Sequence, residues 1–352
     1  MRSSLLPALR CARCGGQALT LTAHAEDTTE VTSGLISCGT CHHAMPIVQG
    51  IVDAIQPGAA EIATREAAGN ARFIADTSTD FQHDDDWLLR LPYSTYHVPA
   101  EKGQDFVGNL ERLIRVVGWG PGLRVADVGA GNCWASWRVA ATGADVIATD
   151  ISSVKYHGLA SGRVMVDGHG HYFDRVLSEM EHLPFIDQSL DGVLIYGALH
   201  HSNDMPRTLA EVHRVLRPGG SALVLHEGVS GLLRNNRFTG IRSVHEIDWQ
   251  QYDWNEQVFW LHEYLLGARR AGLQSRLVLP PFIEQRLEQH DFSGLLFGRI
   301  GRLGAGLWHL PGGRAFLRSR FAIWAASYLV GLPMTAVLRR PVGVTVGHVP
   351  SI

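Results

Sequence analysis

The sequence predicts an α/β protein in which helices cover both faces of a mostly parallel sheet, preceded by a small cysteine-rich module. Short runs rich in β-branched residues alternate with helical stretches from residue 104 to residue 280, and strands that alternate with helices form parallel sheets. Glycines directly follow the first of these runs. Four of the five cysteines form two Cys-x-x-Cys pairs near the N-terminus, and this spacing is typical of a metal site.

Length, composition and charge narrow the class of protein. The chain has 352 residues, 45% of them hydrophobic, which is enough for one large domain and a small accessory module. Its first residues lack the long apolar run and the small-residue cleavage site of a secretory signal, so we expect a cytoplasmic protein. A net charge of −3 argues against a nucleic-acid partner.

The N-terminal segment 1–56 is predicted to form a zinc ribbon. Its cysteine pairs, Cys11 with Cys14 and Cys38 with Cys41, are far enough apart for a short hairpin to connect two knuckles. Because the cytosol keeps thiols reduced, zinc binding is favoured over disulfides. Four thiolates complete a tetrahedral site, so the zinc is expected to be structural.

Residues 57–103 are predicted to form a linker and a lid. The stretch 56–80 is rich in Ala, Gly and Thr and shows little apolar periodicity. Tyr93 and Tyr96 lie just before the next helix, where they could close over a ligand or simply pack between domains.

The main domain, 104–352, begins with a predicted helix at 104–117. Apolar residues repeat along one face of this helix, and Gly118 ends it. The strand that follows leads through Gly129 and Gly131 into a second helix. Glycines in such a turn let the backbone approach a ligand closely.

The same turn indicates which nucleotide is bound. Asp150 ends the next predicted strand, and an acidic side chain at that position can accept hydrogen bonds from both ribose hydroxyls. A dinucleotide site would have a third glycine in the turn, but Trp134 occupies that position. NAD is therefore disfavoured.

The remaining segments complete the predicted sheet. A helix is predicted at 255–271, and an insertion at 281–330 separates the last two strands. The strands after the first are predicted at 144–152, 191–201, 221–228, 274–280 and 333–341.

Four segments carry a resemblance to a known family: VADVGAGNCWAS, ATDIS, SEMEHLPFIDQSLDGVLIYGALHHSNDM and TLAEVHRVLRPGG. Together they resemble the S-adenosylmethionine (SAM)-dependent methyltransferases of the ubiquinone- and menaquinone-biosynthesis type, over roughly residues 104–280 and again at the final strand. The resemblance implies a Rossmann-like class I methyltransferase sheet, mostly parallel with an antiparallel last strand. It also implies SAM as the cofactor.

The resemblance further implies which residues bind SAM. The positions that match the family's cofactor site are Asp127, Gly129, Ala130, Gly131, Asp150 and Ile151 around the methionine and ribose, Glu179 and Met180 beside the adenine, and Tyr196 in the methyl-transfer pocket. The family usually has glycine at the position of Cys133, so this turn carries one additional side chain.

The N-terminal segment carries a second resemblance. With its trailing sequence PIVQGI at 46–51, it is similar to the zinc-ribbon domains that accompany methyltransferases of transfer RNA and ribosomal RNA.

Methyl transfer requires alignment of acceptor and methyl donor, and a base only where the acceptor must lose a proton. His200 and His201 follow the strand that contains Tyr196 and are the candidate bases, although a packing role in the loop is an equally good interpretation. Three further pairs could line the acceptor pocket or hold a divalent metal: His226-Glu227, His245-Glu246 and His262-Glu263.

The C-terminal part of the chain is basic and apolar. No acidic residue follows Asp291, and arginines are interspersed with Leu, Phe and Trp. Contact with a membrane surface through 292–340 is one expectation, because arginine can reach the headgroups while the apolar face is buried. A cap over the acceptor pocket and a homodimer face are alternatives. A membrane-spanning helix at 321–338 is disfavoured by Pro333 and by the strand expected there.

Three functions remain open at this stage. The favoured one is methyl transfer from SAM to an oxygen, nitrogen or carbon atom of a small-molecule or lipid-linked acceptor. The second is methylation of ribosomal or transfer RNA, and the third is a SAM-binding partner protein without catalytic activity.

Overall fold

The structure, a computed structural model, describes residues 1–77, 83–93, 100–232, 252, 254–290 and 298–342, with the backbone alone at 100–102 and 298–300.

Within the described part of the chain, eleven strands form one continuous sheet. They are β1 (Leu19–Glu26), β2 (Val31–Cys38), β3 (Ala44–Val48), β4 (Ile51–Asp53), β5 (Arg124–Val128), β6 (Asp145–Asp150), β7 (Asp174–Leu177), β8 (Leu190–Tyr196), β9 (Leu216–Glu227), β10 (Gln274–Leu277) and β11 (Met334–Arg339). Their spatial order is β1-β2-β3-β4-β7-β6-β5-β8-β9-β11-β10.

The pairing of these strands confirms the predicted fold class. The strands from β4 to β9 in this order pair in parallel, whereas β11 pairs antiparallel with both β9 and β10. Strand β7 escaped the sequence prediction because it is only four residues long and includes the charged Asp174 and Arg175.

Helices cover both faces of the sheet. They are α1 (Ala60–Thr77), α2 (Asp85–Leu89), α3 (Ala100–Val117), α4 (Trp134–Ala140), α5 (Ser161–His169), α6 (Met205–Val215), α7 (Leu261–Arg270), α8 (Pro281–Gln289), α9 (Gly298–His309), α10 (Gly313–Leu317) and α11 (Arg320–Val330). Successive residues of a strand point to opposite faces. Accordingly Val125 of β5 joins an apolar cluster with α3, α4 and α5, while Ala126 joins a second cluster with α6 and α7.

The cysteine-rich segment is joined to the main sheet. Strand β4 pairs in parallel with β7, and the N–H of Ala54 donates to the carbonyl of Leu177 at 3.0 Å. Side chains near the N-terminus, including Leu5 and Leu9, pack in the same apolar cluster as Val176. The segment 1–56 therefore extends the central sheet.

The stretch 56–80, which was predicted as a linker, is mostly helical in the structure. Residues Ala60–Thr77 form α1, and the preceding residues Pro57–Ala59 form a 3₁₀ turn. The segment is rich in alanine, which has the highest helix propensity. It shows little apolar periodicity because few of its side chains are buried; these include Asn70 and Phe73.

The helix predicted at 255–271 begins later, at Leu261. The Glu263 carboxylate accepts a hydrogen bond from the N–H of Trp260 at 2.7 Å. This bond satisfies one of the unpaired N–H groups at the start of the helix, so the helix begins at this point.

The insertion at 281–330 contains α8, α9, α10 and α11. Several of its apolar side chains are exposed, among them Leu303, Leu310 and Phe321. Among the described residues no helix combines the length and apolar character needed to cross a bilayer. Within 321–338, α11 ends at Val330 and β11 pairs with β9, as the expected final strand requires.

Candidate functional site

A cavity of about 370 Å³ opens at the carboxyl ends of the parallel strands, where ligands bind in open α/β sheets. Most of the predicted cofactor residues line it. These are Gly129, Ala130, Gly131, Asp150, Ile151, Glu179, Met180 and Tyr196, and the candidate base His201 lines it as well. The volume lies within the range of small-molecule sites.

The turn after β5 brings backbone to the wall of this cavity. Gly129 has φ +72°, and a Cβ at that position would lie 2.5 Å from the Cβ of Ala198. Gly131 has φ +50°, and a Cβ there would have no atom within 4 Å. The first glycine therefore permits close packing against the loop after β8, and the second leaves open space beside the turn.

Asp150 connects this turn to the end of β6. Its carboxylate accepts hydrogen bonds from the N–H groups of Gly131, at 2.8 Å, and Ser152, at 2.9 Å. Burial raises the pKa of Asp150 to about 6. Each carboxylate oxygen retains a lone pair for a further donor.

Asp127, on β5 directly before the lining residues Val128 and Gly129, is not itself among the residues that line the cavity. It is 1% exposed, and it accepts a hydrogen bond from the Ser136 hydroxyl at 2.6 Å. Burial raises the pKa of Asp127 to about 7. The bond to Ser136 joins β5 to α4, and a cofactor role of Asp127 stays a prediction.

Glu179 lies on the wall between the cavity and the cysteine-rich segment. The N–H of Gln56 donates to its carboxylate at 3.3 Å, and burial raises the pKa of Glu179.

The additional side chain of the turn, Cys133, is fully buried between the turn and α5, with its Sγ 3.7 Å from the carbonyl oxygen of Gly131. The structure accommodates this thiol away from the cavity.

Several cavity residues were missed in the sequence: Glu66, Asn70, Phe73, His157, Trp254 and Glu256. The Phe73 ring packs against His157 and Trp254 with centroid distances of 5.0 Å for both pairs. The indole N–H of Trp254 donates to the Asn70 side-chain oxygen at 2.7 Å. These residues come from α1 and from segments without a motif, so no local pattern could indicate them.

Two of these residues have perturbed acidity. Burial, together with the nearby Asp150, raises the pKa of Glu66 to about 7. Burial lowers the pKa of His157 to about 3, so this imidazole is neutral.

The two candidate bases lie in a cluster with two carboxylates. His200 Nδ1 is 2.8 Å from Glu227, and Glu256 lies 3.5 Å from His200 Nε2 and 3.7 Å from His201 Nε2. Burial alone would lower the pKa of His200, but hydrogen bonds with Glu227 and Glu256 raise it to about 10. Burial and the neighbouring His200 lower the pKa of His201 to about 4.

In the other His-Glu pairs that the structure describes, the histidine and the glutamate side chains make different contacts. Glu227 is fully buried beneath the loop that follows β8, while the His226 ring lies beside Phe106. Glu263 caps α7, and His262 contacts the Tyr328 hydroxyl. The pair His245-Glu246 and the predicted lid residue Tyr96 lie outside the described residues.

The four cysteines converge at the tip of the N-terminal segment. Sγ of Cys11 lies 3.6 Å from Sγ of Cys41, Sγ of Cys14 lies 3.7 Å from Sγ of Cys38, and all four sulfurs lie within 4.8 Å of one another. Zinc–sulfur bonds of about 2.3 Å in a tetrahedron place sulfurs roughly 3.7 Å apart. The donor set therefore fits one zinc ion.

Comparison with known families gives one domain match. Residues 126–224 match the family model described as a methyltransferase domain. This range contains most of β5, all of β6, β7 and β8, the glycine turn and most of β9.

Curated relatives align with the same part of the chain. A demethylmenaquinone methyltransferase of Mycobacterium sp. (strain KMS) is 36% identical over 132 residues, covering 38% of this chain and 53% of the relative. The ubiquinone/menaquinone biosynthesis C-methyltransferase UbiE of Laribacter hongkongensis is 34% identical, with 34% and 50% covered. Methyltransferase GfsG of Streptomyces halstedii is 32% identical, with 38% and 47% covered. The chain thus spans about half the length of the curated relatives it matches.

Solved structures give weaker likenesses. The [4+2]-cyclase SpnF has a TM-score of 0.42 at 19% identity, with 75% of this chain and 87% of that chain covered. Phosphoethanolamine N-methyltransferase 2 of Haemonchus contortus has a TM-score of 0.43 at 18% identity, with 76% and 59% covered. Neither likeness indicates an activity.

Proposed function

Starting from the methyltransferase domain at residues 126–224, we propose that this chain transfers a methyl group from SAM to a small-molecule or lipid-linked acceptor. The observation that supports the proposal best is the cavity wall itself. There the carboxylate of Asp150 and the open backbone at Gly131 face one space at the carboxyl ends of the strands. A ribose with two hydroxyls and an amino acid moiety fit these groups.

The lining residues that match the predicted cofactor site would each contact a different part of SAM. Asp150 and Ile151 would hold the ribose, Glu179 and Met180 would lie beside the adenine, and the glycine turn would face the methionine part. The sulfonium then lies near Tyr196, where the chain continues into the loop of His200 and His201. SAM supplies an activated methyl group, and these residues orient it toward the acceptor.

The aromatic part of the cavity lining supports an acceptor with a flat apolar part. Phe73, His157 and Trp254 form this aromatic wall. Two of the curated relatives are named as methyltransferases of menaquinone or ubiquinone biosynthesis, so a quinol-type acceptor is the first candidate. In the cluster of His200 and His201, the neutral His201 lines the cavity and would take up the acceptor's proton.

The exposed apolar residues of the insertion support the accompanying proposal of contact with a membrane surface or with a second copy. Methylation of RNA and a non-catalytic SAM-binding role are not favoured, because two of the curated relatives named above are methyltransferases of menaquinone or ubiquinone biosynthesis. The chain also carries no excess of positive charge.

The test combines binding and turnover with the zinc-loaded full chain. Calorimetry should show binding of SAM and of its demethylated product, with no binding of NAD(H). Incubation with deuterated SAM and demethylmenaquinol should give a product that carries one labelled methyl group by mass spectrometry. Binding of NAD(H) without SAM would contradict the function while leaving the fold intact. Salt-dependent binding of bulk RNA, with labelled RNA as product, would favour the RNA methyltransferase.

A further inference from the structure

Two imidazoles and one carboxylate meet beside the cavity. The ligand-capable atoms of His200, His201 and Glu256 all lie within 4.8 Å of one another. Both Nε2 atoms lie close to the Glu256 carboxylate, at 3.5 Å and 3.7 Å. Ligands bound to one metal ion at about 2.1 Å lie roughly 3.0–3.5 Å apart, so a small contraction would bring this set to bonding distance.

The orientation of His200 is set by a buried carboxylate. Glu227 is 0% exposed. Its carboxylate accepts hydrogen bonds from the backbone N–H groups of Ala198, Leu199 and His200. The same carboxylate lies 2.8 Å from His200 Nδ1. Metal binding would displace the Nε2 proton of His200, and with Nδ1–H donating to Glu227 the Nε2 lone pair is then directed at the cluster. Metal-ligating histidines commonly have such a carboxylate partner on the other ring nitrogen.

Glu256 is positioned by the residues on either side of it. The Asn255 amide donates to the carbonyl of His201 at 2.8 Å, and the Gln257 amide donates to the carbonyl of Ser202 at 2.9 Å. These bonds tie the segment before α7 to the loop after β8. These bonds, together with the contact of His200 with Glu227, hold the three groups near one another from two parts of the chain.

We propose that His200, His201 and Glu256 form a binding site for a divalent first-row transition-metal ion. Two imidazoles favour such an ion over magnesium or calcium, which prefer oxygen ligands throughout. Three protein ligands leave coordination positions open, as in catalytic metal sites and unlike the four-cysteine site. Since His201 and Glu256 line the cavity, these positions face the acceptor.

The ligand class for the open positions follows from this chemistry. A metal ion lowers the pKa of a bound oxygen acid, so the site suits an acceptor with an ionisable hydroxyl, such as a phenol or enol. This role rests on the proposed function, whereas metal binding itself does not. In the metal-bound protein the imidazoles hold the ion, and ionisation of the acceptor hydroxyl replaces proton removal by a histidine.

Cobalt(II) is the probe that tests the site, titrated into protein whose cysteines already hold zinc. Calorimetry should give one further cobalt ion per chain, with visible absorption of a nitrogen and oxygen site and no thiolate charge-transfer band. The variants His201→Gln and Glu256→Gln should each weaken cobalt binding by about tenfold or more. His171→Gln, which changes an exposed histidine away from the cavity, should bind cobalt like the wild type.

SAM affinity, measured on the same samples, separates the two proposals. A thermal unfolding midpoint like that of the wild type shows that each variant is folded. A wild type that binds SAM but no cobalt ion beside its zinc, or variants that bind cobalt as tightly as the wild type, would overturn the metal site and leave the proposed function standing. Cobalt binding without SAM binding would support the metal site and contradict the proposed function.

Discussion

Asp150 shows how one buried side chain can organise a turn and remain available to a ligand. Its two hydrogen bonds to backbone N–H groups favour the ionised carboxylate, but burial outweighs them and raises its pKa to about 6. Binding of a ribose through the ionised carboxylate should therefore depend on pH near neutrality.

We expect SAM affinity to be constant above about pH 7 and to fall as pH drops through about 6. Below that pH Asp150 is protonated in the ligand-free protein, and a charge-assisted hydrogen bond worth about 1.5–3 kcal/mol is lost, or about tenfold or more in affinity. Calorimetry between pH 5 and pH 8 measures this profile.

Matched variants identify the titrating group. Asp150→Asn should bind SAM more weakly and without the fall near pH 6. Glu66 has a pKa of about 7 and faces the same carboxylate, so Glu66→Gln should retain the fall. An unchanged profile in Asp150→Asn would assign the dependence to another group.

At the scale of elements, α1 covers the cavity by close backbone packing. Gly69 lies so near the segment that contains Trp254 that an added Cβ would be 1.8 Å from the carbonyl oxygen of Tyr252. Asn70 and Phe73, on the next turn, contact Trp254. The helix and this segment therefore depend on one another for their positions.

The variant Gly69→Ala should separate α1 from this segment. Overpacking of this kind costs about 1–3 kcal/mol in the free energy of unfolding, and SAM affinity should fall with it because α1 lines the cavity. Chemical denaturation and calorimetry measure the two effects. Gly58→Ala is the matched control, since its Cβ would meet nothing within 4 Å, and its stability should change by less than about 0.5 kcal/mol. Equal behaviour of the two variants would contradict this role of α1.

At the scale of the whole molecule, the cysteine-rich segment and the cavity share one sheet. Arg175 of β7 is buried and donates to Glu30 at 2.5 Å, directly across the junction with the N-terminal segment. Beyond β4 the chain reaches the cavity wall, where the N–H of Gln56 donates to Glu179. The four-cysteine cluster should therefore help to hold Gln56 and Glu179 in position at the cavity wall.

We expect one zinc ion per chain by metal analysis, and we expect its loss in Cys38→Ser to lower both thermal stability and SAM affinity. Structural zinc supplies folding energy, so Tm should fall by at least about 5 °C. Cys133→Ala removes a thiol outside the cluster and should retain the zinc. A zinc-free variant with wild-type SAM affinity would show that the segment folds independently of the cavity.

The sequence by itself determined the elements that depend on local order. The parallel sheet follows from β-branched runs alternating with helices, and the turn at Gly129 and Gly131 follows from a backbone that only glycine adopts readily. Cysteine spacing likewise predicts the four-thiolate cluster. Each of these signals lies within a few neighbouring residues, and each could therefore be found without coordinates.

Only the tertiary structure decided how distant segments share a site. The pairing of β4 with β7 joins the N-terminal segment to the sheet, and α1 was missed because it contributes few buried side chains. Glu256 meets His200 through hydrogen bonds between loops far apart in the chain. Such contacts follow from packing between distant segments, which no local periodicity encodes, and they formed the aromatic wall and the two-histidine cluster of this protein.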